Sequence, residues 1–116
     1  MSDAPVLSGV NAVDDVASAG DFEKKHTPFL SAVRDGERVT VTIEVGHWVA
    51  HPNQPDHFIQ WIDVQVAGAS VARFDFSPVA ADPSVTCVLN VDPGATITAL
   101  ENCNLHGVWA ASTPAP

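Results

Sequence analysis

Residues Arg38–Val45 read RVTVTIEV. Val39, Val41, Ile43 and Val45 alternate with Thr40, Thr42 and Glu44, so four branched apolar side chains share one face of an extended chain. This is a strand with one buried face, built from residues that suit a pleated surface. The same period recurs downstream. Phe58–Val66 (FIQWIDVQV) reads as a strand with Ile62, Val64 and Val66 on one face and Ile59 and Trp61 on the other. Ala67-Gly68-Ala69-Ser70 is a turn, and Val71–Phe76 (VARFDF) returns as the other arm of a hairpin. Val85–Val91 (VTCVLNV) places Val85, Cys87, Leu89 and Val91 together. Asp92-Pro93-Gly94 is a tight turn, with proline at its first central position and glycine at its second. Thr96–Leu100 is the next strand, and Phe29–Val33 fits a short one. Short strands separated by turn signals, with no long helical pattern, indicate an all-β fold. The expected architecture is an immunoglobulin-like antiparallel β-sandwich or barrel of about seven strands.

A chain of 116 residues holds one ordinary core. Residues 1–20 are small and acidic. Met1 to about Val10 reads as a loose tail and Asn11–Ala19 as a short helix, so this segment is expected to be flexible or partly helical, with the β domain in residues 21–116. The last residues, Ala111–Pro116, are expected to fray. Fourteen Asp and Glu stand against five Lys and Arg, a net charge of -9. That excludes nucleic acid, which needs clustered basic residues, and an anionic membrane surface. No stretch is apolar for long enough to cross a bilayer, and the N-terminal residues lack the basic and apolar regions of a secretory signal. The expected location is the cytoplasm.

The chemistry-bearing residues fall in connections. His26 lies in EKKHTP, His51 and His57 bracket HPNQPDH, and Cys103 and His106 form CNLH. Ligand groups concentrate on loops held by a rigid scaffold, and the two prolines of HPNQPDH fix the shape of its loop. Each piece is weak or moderate alone. Together, four imidazoles and one thiolate exceed the four ligands of a closed zinc site. Blue copper would want two histidines, a cysteine and a weak axial methionine, and Met1 is the only methionine. Five ligands with one position left open suit iron.

EKKHTP, HPNQPDHFIQW, ARFDF and ENCNLHGVW resemble the superoxide reductase family, in its neelaredoxin or one-iron form, and the iron-binding domain of desulfoferrodoxin. The resemblance spans about Phe22 to Trp109, and H-P-x4-H-x-I-x-W followed by C-N-x-H-G-x-W is highly specific. It implies one mononuclear iron per chain, with His26, His51, His57 and His106 equatorial and Cys103 axial. No cysteine precedes Cys87 in these 116 residues, so the one-iron form is expected, without the additional four-cysteine iron centre of desulfoferrodoxins. The implied activity is one-electron reduction of superoxide to hydrogen peroxide, with the iron re-reduced by a rubredoxin-like or other small donor. In the family a Glu-Lys-His run supplies a lysine that attracts superoxide and a glutamate that reaches the ferric iron. Here the run is Glu23-Lys24-Lys25-His26: Lys25 matches the lysine, while Lys24 stands where the glutamate is expected. One-iron relatives imply a homotetramer, or else a homodimer, with Trp48 as a candidate interface residue.

Other readings remain beside this one. A cupredoxin-like electron-transfer or metal-binding sandwich without superoxide turnover would use Cys103, His106 and His51, and leaves His26 and His57 unexplained. A metal-free immunoglobulin-like interaction module leaves all five unexplained. His47 matches no ligand and is expected to be exposed or to stand behind the ligands. Cys87 reads as a small core residue, its rival being a disulfide with Cys103. Trp61 and Trp109 read as packing near the site. Lys24 and Lys25 could be a merely solvated pair.

Overall fold

The computed structural model describes residues 9–116. Eight strands form two sheets. The first strand, β1 (Val10–Ala12), is followed by a single 3-10 turn at Val16–Ser18 and a six-residue helix, α1 (Asp21–His26). Then come β2 (Phe29–Asp35), β3 (Arg38–Glu44), β4 (Ile59–Val66), β5 (Ala69–Asp75), β6 (Ser84–Asn90), β7 (Thr96–Cys103) and β8 (Gly107–Pro114). One sheet has the order β1-β8-β7-β4-β5 and the other β2-β3-β6. The expected all-β sandwich is what forms, with eight strands. Every pairing is antiparallel except β1 with β8, which is parallel.

The core lies between the sheets. Val39, Val41 and Ile43 of β3 face Ile62 and Val64 of β4 and Ile97 and Ala99 of β7, all with no exposed surface. Cys87 is half-buried against this cluster, and both cysteines are free. One face assignment changes. Ile59 pairs with Cys103 and Trp61 with Asn102, so two steps along β4 match one along β7. This bulge at Gln60 turns Ile59 into the core beside Cys103, on the same side as Ile62. Trp61 stays half-buried on the other face, with the Arg73 guanidinium 4.4 Å from its ring centre.

Both chain ends differ from expectation. The loose tail read for Met1 to about Val10 lies, as far as Ser8, outside the described residues. Val10 itself is in β1. Asn11–Ala19 forms no α-helix: its first residues pair with β8, and Asn11 donates its side-chain amide to the Val108 carbonyl at 3.0 Å. The helix comes later, over the Asp21–His26 segment. The C-terminal residues do not fray, because β8 pairs with β7 as far as Pro114. Ala115 is buried and bonds through its backbone to Gly94 and Ala95, while Arg34 donates to the carbonyls of Pro116 and Val91.

The register sorts the connections by length. Phe29 lies opposite Glu44, Glu44 opposite Ser84, Ile59 opposite Cys103, and Cys103 opposite Gly107. The start of β2, the end of β3, the starts of β4 and β6 and the end of β7 therefore share one end of the sandwich. The long connections, residues 45–58 and 76–83, are at that end. The opposite end holds the short glycine turns at Gly36, Gly68 and Gly94, each with positive φ.

Candidate metal centre

His26 is the last residue of α1 and has no exposed surface. Its Nδ1–H donates to the Phe22 carbonyl one helical turn back, at 2.7 Å. A carbonyl only accepts, so this bond fixes the tautomer and leaves Nε2 as the free lone pair. Thr27 ends the helix by donating both its backbone N–H and its hydroxyl to the Glu23 carbonyl. The ring of His26 stacks on Trp109 (5.0 Å, 22°), and Phe22 leans on His26, His106 and Trp109.

His51 and His57 come from the connection between β3 and β4. Gly46 lets that connection begin: it has φ +86°, and a Cβ there would meet the His51 backbone nitrogen at 2.8 Å. His51 donates Nδ1–H to the Pro52 carbonyl at 2.7 Å, repeating the arrangement at His26. Gln54 and His57 exchange both backbone hydrogen bonds, so Pro55 and Asp56 cap a tight two-residue turn. Cys103 ends β7, and His106 sits in the turn to β8, with its Nδ1 3.7 Å from Cys103 Sγ. Trp109 donates its indole N–H to the His106 carbonyl at 3.2 Å.

The four imidazoles close a ring. Centroids lie 4.8 Å apart for His26 and His51, 4.9 Å for His51 and His57, 5.3 Å for His57 and His106, and 5.1 Å for His106 and His26. Neighbouring planes meet at 69–86°, so the rings stand like blades about a common centre. Ligand atoms of His26, His57, Cys103 and His106 all fall within 4.8 Å of one another. His51 lies outside that tightest group but beside two of its members. The Nε2 atoms of His26, His51 and His106 are buried without a hydrogen-bond partner. Such orphaned lone pairs are costly unless something electrophilic fills the space between them. A soft thiolate among imidazoles is a donor set that suits a transition metal such as iron, copper or zinc.

The electrostatics agree. Burial lowers the pKa of His26 to about 4 and of His51 to about 3, against the opposing effect of their carbonyl partners. Neighbouring imidazoles and Lys25 push both in the same direction. Both rings are therefore neutral near pH 7, the form that binds a metal. Burial raises the Cys103 thiol, Glu101 adds to that rise, and the backbone N–H groups of Leu105 and His106 oppose it. Those two N–H groups stabilise the thiolate once a cation is present.

A desulfoferrodoxin family profile matches residues 18–112. The chain belongs to that family. Superoxide reductase from Pyrococcus furiosus is 30% identical, over 84% of this chain and 94% of that one. Superoxide reductase from Pyrococcus horikoshii is 31% identical, over 78% and 88%. Among solved structures, superoxide reductase (neelaredoxin) from Ignicoccus hospitalis superposes with a TM-score of 0.75 at 28% identity, covering 91% of this chain and 93% of that one. A cupredoxin reading or a metal-free module does not account for this family membership.

The other sequence candidates are placed as follows. Lys25 is half-buried beside His26, and its charge bears on both His26 and His51. Lys24 precedes it on α1. Glu23 turns back to the start of the helix, where a Cβ on Gly20 would meet its Oε1 at 3.5 Å. His47 lies away from the ring of imidazoles: it is exposed, stacks on Phe29 (3.8 Å, 9°) and meets Glu44 Oε1 at 2.7 Å. Trp48 is 40% exposed, edge-on to both rings.

Sequence reasoning missed Glu101. It is fully buried on the inward face of β7, two residues before Cys103, and neither carboxylate oxygen has a partner. Burial pushes its pKa well above the usual carboxylate range. The signal was present: Ile97, Ala99, Glu101 and Cys103 continue one alternation beyond the point where Thr96–Leu100 was expected to stop.

Proposed function

We infer that the chain is a superoxide reductase, with His26, His51, His57, His106 and Cys103 holding one mononuclear iron. The observation that carries this is the closed ring of four imidazoles, with the Nε2 atoms of His26, His51 and His106 orphaned, beside a buried thiol in a chain of the desulfoferrodoxin family. When bound, the iron supplies one electron, so that superoxide and two protons become hydrogen peroxide and an external donor restores the ferrous state. The protein's own residues do the rest. The Phe22 and Pro52 carbonyls aim two imidazoles that burial keeps neutral, and such partners of a ligand set its basicity. Leu105 and His106 N–H groups stabilise negative charge on Cys103. Phe22 and Trp109 wall one side of the centre against water.

Lys25 has the role of drawing in the superoxide anion. The net charge of -9 does not oppose this, because exposed charges beyond about 8 Å are screened at physiological salt while a nearby ammonium focuses a small anion. Lys24 adds a second positive charge to the same helical turn. Glu23 reaches the ferric centre in this reading only if its side chain swings away from Gly20; an unchanged ferric spectrum in Glu23→Ala would remove it. A rubredoxin-like donor and a homotetramer, or else a homodimer, rest on the family resemblance. Among the described residues no helix is long and apolar enough to cross a membrane.

The test is metal content together with superoxide kinetics. One iron per chain and consumption of superoxide in proportion to reduced protein, without oxygen release, support the reading. Full occupancy by zinc or copper with no iron-dependent superoxide consumption would overturn it.

A further inference from the structure

We propose that Asn104 is a positioning residue that sets His57 against Cys103 and His106, an assignment that rests on the metal-centre reading above. His57 and the Cys103–His106 pair come from connections far apart in sequence, so something must fix one relative to the other. Asn104 stands immediately after Cys103 and two residues before His106. Its Oδ1 accepts from the Phe58 backbone N–H at 2.9 Å. Its amide nitrogen donates to the Asp56 carbonyl at 2.9 Å. Its own backbone N–H donates to the Phe58 carbonyl at 3.2 Å. The side chain thus holds the residues on both sides of His57, and the backbone bond makes the attachment to Phe58 reciprocal.

The geometry of the loop makes this grip effective. The turn from Gln54 to His57 is closed by two backbone bonds of its own, so it moves as a unit. Holding Asp56 and Phe58 therefore orients the whole turn, including the His57 ring 5.3 Å from that of His106. Asparagine supplies both an acceptor and a donor at one position, and neither aspartate nor alanine can do that. Loss of the grip frees the Asp56 and Phe58 backbone from the Cys103–His106 turn, and with it the frame that sets His57 relative to the thiolate.

The experiment uses the full-length, iron-loaded protein and three variants. Iron release to excess chelator is followed well below the unfolding temperature. The thiolate-to-iron absorption band of the oxidised form is recorded, and the metal-free Tm is measured. Asn104→Ala is expected to release iron about 10–100-fold faster, the usual cost of removing a partner that orients a ligand. Its absorption band should shift, while its metal-free Tm falls no further than that of Thr98→Ala. Thr98 bonds Ser112 on the exposed face of the same β7–β8 hairpin, so that control destabilises the hairpin away from the centre. Asn104→Asp keeps the acceptor for Phe58 but faces the Asp56 carbonyl with an oxygen, and should fall between; it carries the test if the alanine variant does not fold. Release from both Asn104 variants at the parent's rate, or equal acceleration in Thr98→Ala, would overturn the assignment alone. A parent that holds no iron would overturn the functional reading and this inference with it.

Discussion

Acidification of the metal-free protein tests the electrostatics of the centre directly. His26 and His51 have folded-state pKa values of about 4 and about 3, whereas both titrate near 6.5 when unfolded. Between those limits the unfolded chain binds more protons, so the stability they contribute is complete above pH 6.5 and is lost as pH falls. At pH 5 the loss is about 2 kcal/mol for each ring, or about 4 kcal/mol together. For a domain of this size that lowers Tm by about 15–20 °C relative to pH 7.5. Glu101 acts with the opposite sign. Its folded pKa is raised, so its contribution is present at low pH and is lost as pH rises through the raised value. Glu101→Gln removes that opposing slope, and the variant should therefore lose more stability between pH 7.5 and 5 than the parent. Thermal unfolding followed by circular dichroism at the two pH values reads both effects. Bound iron should blunt the loss, because ligation keeps the imidazoles neutral until protons displace the metal. A metal-free Glu101→Gln protein whose Tm is the same or higher at pH 5 would show that the two buried imidazoles are not held neutral by the fold.

Cys103→Ser should remove the thiolate-to-iron band of the oxidised protein, since no other cysteine belongs to the cluster; absorption spectroscopy after iron loading checks it. Lys25→Ala should slow the second-order reaction with superoxide and flatten its dependence on ionic strength, and an unchanged rate in pulse radiolysis would remove Lys25 from the approach path. Gly46→Ala should destabilise the fold by roughly 1–3 kcal/mol, because the new Cβ meets the His51 nitrogen at 2.8 Å in a left-handed backbone conformation; denaturant titration measures it.

Much of the sandwich was legible because its central strands alternate. Val39, Val41 and Ile43 declare their buried face without any tertiary information. The candidate ligands were legible because HPNQPDH and CNLH stand out against that alternation. What was not legible has physical reasons. β8 (GVWAASTP) is rich in small residues, glycine and proline, and it is a strand because it pairs with β7 on one side and β1 on the other. β1 is three residues long and owes its extended form to β8 alone. α1 is too short to show a helical period, and its role comes from the i, i+4 relation that puts the Phe22 carbonyl on the His26 ring. The Gln60 bulge inverts the face of Ile59, and a strict period of two cannot anticipate an extra residue.

The placement of the centre follows from how the strands run. An antiparallel chain alternates direction at each strand, so the connection before β2, that between β3 and β4, and that between β7 and β8 emerge at the same end. His26, His51, His57 and His106 occupy those three connections, and Cys103 is the last residue of β7 at the same end. The short glycine turns fall at the other end, where nothing needs to be held. The loop over residues 77–82 also emerges at the ligand end. Asn53, from the same connection as His51 and His57, ties it down by bonding the Ala81 carbonyl and the Val79 N–H. Val79 is a β-branched residue at φ +68°, a strained conformation that persists only where its surroundings enforce it. Asn53 and Asn104 thus do related work, each bonding backbone with both ends of one amide. The sandwich brings three distant connections to one end, and amides within those connections convert proximity into a fixed arrangement of imidazoles.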